Sequence, residues 1–157
     1  MINQLKLSKL HTTNSVREAV ELIEKGVDVN VLAKGDITPL HFNENIAVIR
    51  LLIAAGADVN AKREDGKTPL HIHSNGEITE LLITHGATVD CRTFFDDTPL
   101  HLAASLDVVK VLLKHGANPN LQNSDFELPE DGYGDADMEA CEMTAQIKKC
   151  RRKHAGK

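Results

Sequence analysis

The chain has 157 residues, a formal net charge of -5 and no Trp. That length allows one domain with a sizeable core, and an aromatic content of 3% requires the core to be aliphatic. The acidic balance argues against general nucleic-acid binding, no apolar run is long enough to span a membrane, and three cysteines without a CxxC pair point to reduced thiols in a cytosolic setting rather than a disulfide framework.

The charge is unevenly placed. Residues 1–124 hold 12 basic and 15 acidic groups, residues 125–142 hold eight acidic groups and no basic one, and residues 148–157 hold six basic groups and no acidic one. From the N-terminus, Met1 to Leu10 has neither a long apolar core nor a cleavage-site pattern, so no signal peptide is expected. From Ser8 the chain becomes periodic. Thr38-Pro39-Leu40-His41 returns at Thr68-Pro69-Leu70-His71 and Thr98-Pro99-Leu100-His101, and Ser8-Lys9-Leu10-His11 keeps the Leu and the His. The step is 30 residues. Gly26, Gly56, Gly86 and Gly116 form a second column, and Asn30, Asn60, Asp90 and Asn120 a third. Columns of this kind signify stacked structural repeats, here 8–37, 38–67, 68–97 and 98–127.

Each repeat opens on a short first helix with Pro at its start, where a missing N–H costs nothing. Repeat one has Lys9 there. The apolar spacing predicts second helices at Val16–Lys25, Ile46–Ala55, Glu77–His85 and Asp107–His115. Leu22, Leu52, Leu82 and Leu112 form one inward column, and Ile23, Ile53, Ile83 and Leu113 the next. The glycine that follows each helix supplies the left-handed conformation of a helix stop. Projecting loops, or fingers, then run over Val31–Ile37, Ala61–Lys67, Cys91–Asp97 and Leu121–Glu127. After residue 127 the motif decays to Leu128-Pro129-Glu130-Asp131. Residues 128–147 read as a degenerate polar cap, with Asp135 capping a last helix whose apolar side is Met138, Cys141 and Ala145. Residues 148–157 read as a basic C-terminal tail, frayed over 150–157.

The TPLH motif, the apolar helix after it and Gly56-Ala57-Asp58-Val59-Asn60-Ala61 resemble the ankyrin repeat, and the resemblance covers residues 8 to 127. The usual period is about 33 residues. Here every Thr-to-Gly distance is 18 steps, so the shortening lies between TPLH and the second helix. The Gly-His turn of the family is missing, which predicts a first helix of about one to one and a half turns. The resemblance implies an all-α solenoid of helix-turn-helix units with projecting fingers, and a domain spanning 1–147. It also implies protein–protein recognition without catalysis or cofactor, by an adaptor or inhibitor, or by an effector that a bacterium delivers into a host cell. The expected partner is another protein. No small-molecule substrate or membrane span is expected, and the chain is expected to be monomeric.

In the family, partners meet the finger tips and the exposed side of the first helices. Carried over by column, that surface is Lys34, Gly35 and Ile37, then Glu64, Asp65 and Lys67, then Phe94, Phe95 and Asp97, then Ser124, Asp125 and Glu127, with Asn45, Asn75 and Ser105 on the concave side. Phe94-Phe95 is the sharpest signal, because adjacent aromatics at a loop tip suggest a binding anchor. Val31, Leu32 and Phe126 either extend that stripe or pack between fingers.

His11, His41, His71 and His101 invite a metal reading. Repeats lie roughly 10 Å apart, however, whereas zinc ligands converge at about 2 Å. The family role of this His is to bond the neighbouring Thr hydroxyl and a finger backbone. His73, His85 and His115 are expected on the surface. Cys91 reads as a small buried thiol rather than a nucleophile, and Asp135–Glu139 as a solvated acidic stretch rather than a calcium loop. Asn60 sits in a context where family asparagines are hydroxylated in animal cells, and it also has a structural role in its turn. The alternative to protein recognition is nucleic-acid or anionic-surface binding through the basic stretch Lys148–His154.

Overall fold

A computed structural model describes residues 8–133 and 138–155. Among these residues the chain is helical with no strand, apart from a single bridge between Ala33 and Ile37. First helices are α1 (Lys9–Thr12), α3 (Pro39–Phe42) and α5 (Pro69–Ile72), and second helices are α2 (Val16–Glu24), α4 (Ile46–Ala54), α6 (Gly76–Thr84) and α7 (Leu106–Lys114). The last helix is α8 (Met138–Ala155). The short helices stack on one another in one layer and the long ones in a second.

The 30-residue period has a visible local cause. Each first helix is one turn, and only three residues separate it from the next. In repeat two these are Asn43, extended at φ -77 and ψ 133, then Glu44 and the N-cap Asn45. Asn45 Oδ1 accepts from the N–H groups of Ala47 and Val48, at 2.9 and 3.4 Å. Ser15, Asn75 and Ser105 cap their helices in the same way. In repeat four, Pro99–Leu102 forms turns rather than the expected helix. Ala103 there offers no polar side chain to reach back to the preceding repeat, as Asn43 does to Thr13 and His73 to Leu40.

The second helices end as expected. Gly56 has φ 93, its N–H donates to Ile53, and the Ala57 N–H donates to Leu52 at 2.9 Å. The other three glycines repeat this stop. Leu10, Leu40, Leu70 and Leu100 are almost wholly buried, as are Leu52, Leu82 and Leu112, so the core is a continuous aliphatic seam between repeats.

The cap differs from the sequence reading. The motif remnant forms a 3-10 turn at Pro129–Gly132, where Asp131 takes the position of the repeat histidine and its Oδ2 accepts from the Leu128 N–H at 2.8 Å. Tyr133 donates to the Leu100 carbonyl. Helix α8 turns Met143 and Ile147 into the core, while Met138, Cys141 and Ala145 face solvent. The rotation suits Arg151, two turns along the buried side from Met143, which pairs with the buried Glu130 and donates to Asn120 Oδ1 at 3.0 Å. The helix thus continues to Ala155, with Arg151 holding it to Glu130 and Asn120, where fraying was expected from residue 150; residues 156–157 lie outside the described residues. The proposed cap Asp135, and the Asp135 and Asp137 of the calcium-like stretch, lie outside the described residues.

Candidate partner-binding surface

The four fingers form a ladder. Within each, a tip is closed by a backbone bond: Ala33 to Ile37, Arg63 to Lys67, Thr93 to Asp97 and Asn123 to Glu127, at 2.8 to 3.0 Å. Between them, the N–H groups of Glu64, Phe94 and Ser124 donate to the carbonyls of Gly35, Asp65 and Phe95. One column is left-handed in every finger, Asp36, Gly66, Asp96 and Phe126 at φ 58, 81, 60 and 64, and finger one adds Gly35 at φ 83.

The histidine column holds this ladder to the helices. In repeat two, the Thr38 N–H donates to His41 Nδ1 at 3.2 Å, with the Thr38 hydroxyl 2.8 Å away. Nδ1 is therefore an acceptor, and the ring proton sits on Nε2, which donates to the Lys67 carbonyl at 3.2 Å. His11, His71 and His101 reach the carbonyls of Ile37, Asp97 and Glu127. This is the structural role the resemblance implied, and among the described residues no group of three or more His, Cys, Asp or Glu side chains could hold a metal. Burial pushes His41 down to about 4 and lowers His71 and His101 from the ordinary imidazole value. His73 corrects the sequence reading, since it is buried, its Nε2 donates to the Leu40 carbonyl at 2.8 Å, and burial lowers it too. His85 is exposed, and half-buried His115 lies 2.9 Å from Glu80.

The asparagine column stitches the outer loops. Asn60 Nδ2 donates to the Gly86 carbonyl at 2.9 Å, and its Oδ1 accepts from the Thr88 N–H at 2.9 Å. Cys91 is half-buried, with Sγ 3.4 Å from the Thr68 hydroxyl, and burial raises its thiol above the usual range, which opposes thiolate chemistry.

The carried-over surface residues divide into two groups. Lys34, Glu64, Phe94 and Phe95 project from the fingers. Ile37, Lys67 and Asp97 are half-buried, their carbonyls taken by the histidines. Asp65 is held by the Lys67 N–H at 3.1 Å, and Asp97 Oδ1 by Asn123 Nδ2 at 3.0 Å. Asn45 and Asn75 are helix caps, and Ser105 both caps α7 and donates to the Ser74 carbonyl at 2.8 Å. Those three side chains are committed to the frame.

Every phenylalanine of the chain is outside the core: Phe42 is 48% exposed, Phe94 73%, Phe95 66% and Phe126 80%. Phe42 was missed in the sequence. It follows the TPLH motif in a column with Thr12, Ile72 and Leu102, and that fifth position was the signal that marked it. Together with Ile37, Ile72 and Arg63 it lines an open cleft of about 510 Å³ between the first-helix layer and the fingers.

No curated protein matches the chain. A family model for ankyrin repeats matches three copies over residues 41–123, more than half the length. Such repeats are generally protein–protein interaction modules and typically non-catalytic. With its TPLH turns, glycine stops and hydrogen-bonded fingers, the chain belongs to the ankyrin repeat family.

Proposed function

We propose that this chain is a non-catalytic recognition protein that binds another protein across its fingers and the adjoining cleft. It acts by occupancy, covering a partner's surface as a monomeric adaptor or inhibitor, whether in its own cell or after delivery into a host. The observation that carries this reading is the position of the four phenylalanines. A protein with so few aromatics gains most by burying them, and this one leaves all four phenylalanines exposed on its fingers and a first helix. Exposed aromatics on rigid loops are the usual anchors of an interface.

The alternative, an anionic-surface binder, rests on Lys148, Lys149 and Arg152, which are exposed on α8. Arg151 is excluded from that set by its pairing with Glu130. The two readings separate in an affinity capture with the full chain. Phe94→Ser with Phe95→Ser is compared with a Lys148→Ser, Lys149→Ser, Arg152→Ser variant. Truncation at residue 147 is unsuitable, because it removes Arg151 and so loosens the cap. Loss of a protein partner with the phenylalanine variant alone is the expected result. Loss with the lysine variant alone, or salt-sensitive nucleic acid in place of a protein, would replace this reading with the alternative.

A further inference from the structure

Fingers three and four differ from the others in a way that defines a ligand. Residues 91–97 and 121–127 carry four carboxylates, Asp96, Asp97, Asp125 and Glu127, against one cation, Arg92. Arg92 is internally committed, donating to the carbonyls of Asp96 and Gln122 and lying 3.4 Å from Asp96 Oδ1. Three of the four phenylalanines stand on these two fingers. The tips are fixed from within: the Thr93 hydroxyl accepts from the N–H groups of Phe95 and Asp97, and Asn123 Oδ1 accepts from those of Asp125 and Glu127, at 3.0 to 3.2 Å. Phe94 crosses Gly66 so closely that an added Cβ there would lie 2.9 Å from its nitrogen and 3.1 Å from its ring.

Phe126 supplies a second observation. It holds φ 64, a conformation that bulky residues rarely adopt, where the same column has Gly in finger two and Asp in fingers one and three. Its ring is 80% exposed, so packing does not repay the strain. A strained, outward aromatic is a sign of function rather than of folding.

We propose that fingers three and four form a preorganised aromatic patch with an acidic rim, and that its occupant is a partner segment carrying an apolar side chain flanked by Lys or Arg. This rests on the recognition reading above and specifies the partner's chemistry. The rings take the apolar side chain, Phe faces also suit a cation, and Asp125 and Glu127 meet the flanking charge at the rim, where complementarity sets specificity and on-rate.

The test is selection of a displayed random linear peptide library on the immobilised full chain. Enriched peptides are then titrated against wild type, Phe94→Ser with Phe95→Ser, Asp125→Asn with Glu127→Gln, and Phe42→Ser. All four variants alter exposed side chains, and unchanged melting curves confirm their fold. The expected result is enrichment of Lys or Arg beside an apolar residue, with affinity weaker by about tenfold or more in the Phe94/Phe95 variant. The carboxylate variant should bind more weakly and with a shallower dependence on salt. Enriched peptides that are acidic or lack cations, or that keep their affinity in both finger variants, overturn the proposal. Binding lost only with Phe42→Ser also overturns it but leaves the recognition reading standing, with the cleft as its site. A wild-type dimer that the Phe94/Phe95 variant abolishes would make a second copy the occupant. No enrichment at all overturns the proposal of a linear segment as occupant and leaves the recognition reading to be decided by the affinity capture.

Discussion

Fingers one and two and fingers three and four share one backbone and present different surfaces. The ladder bonds, the left-handed residue and the histidine anchor are the same in both pairs. Finger two carries Lys62, Arg63, Glu64, Asp65 and Lys67, and its charges answer one another: Asp65 lies 3.6 Å from Arg63 and 3.8 Å from Lys67. Finger four carries Asp125, Phe126 and Glu127 with no cation. A repeat fold separates these two tasks, because each column that touches a neighbouring repeat is held by packing and each column that touches solvent is free to vary.

That comparison presumes a common frame, and the largest expected effect comes from breaking it. Leu82 is fully buried between repeats, so Leu82→Ala should lower stability by about 2–5 kcal/mol in a urea titration. A loss well below that range would mean that the seam collapses around the gap, and the two pairs would no longer be held by one core.

Acid tests the anchors that the pairs share. His41, His71, His73 and His101 are all held below the ordinary imidazole value by burial. The unfolded chain therefore binds more protons than the native one between pH 6.5 and the lowered native values. The stabilisation is complete above pH 6.5 and is lost as pH falls toward about 4. The expected cost across that window is on the order of 1–3 kcal/mol, read as a falling denaturation midpoint. The slope should flatten in His41→Gln. A midpoint flat from neutral pH to about pH 5 would contradict the neutral, Nε2-protonated column.

Two substitutions in the left-handed column sharpen the contrast, with opposite signs. Gly66→Ala meets both a positive φ and the backbone of Phe94, and should cost about 1–2 kcal/mol in thermal unfolding. Phe126→Gly relieves the same strain and loses some unfolded-state advantage, so the expected outcome is a small gain of roughly 0.5 kcal/mol. Paired with weaker peptide binding, that gain would mark Phe126 as kept for recognition at the expense of stability. A loss of stability instead would show that its ring packs in solution.

Most of the frame was legible in the sequence because it is built from local rules applied four times. The second helices fall within a residue of where apolar spacing and the glycine stops put them, as Ile46–Ala54 illustrates. The short first helices of repeats one to three follow from the shortened step, whereas repeat four has the same step and forms only turns. The surface was legible only where composition was unusual, as at Phe94 and Phe95. Phe42 hid because an apolar residue directly after a helical motif reads as core, and His73 because an isolated histidine in a polar stretch reads as exposed.

The sequence by itself determined the repeat, its second helices and its stops, and the family resemblance implied the histidine anchors, since each depends on residues within one repeat and its neighbour. Tertiary structure decided the rest. Met143 and Ile147 turn inward, rather than Met138, Cys141 and Ala145, in the rotation that lets Arg151 reach Glu130 and Asn120. Asn45, Asn75 and Ser105 became caps rather than contacts, because a helix N-terminus has unpaired N–H groups that a nearby side chain satisfies before any partner arrives. Which side of a helix is buried depends on what lies opposite it, and periodicity in one dimension does not contain that information.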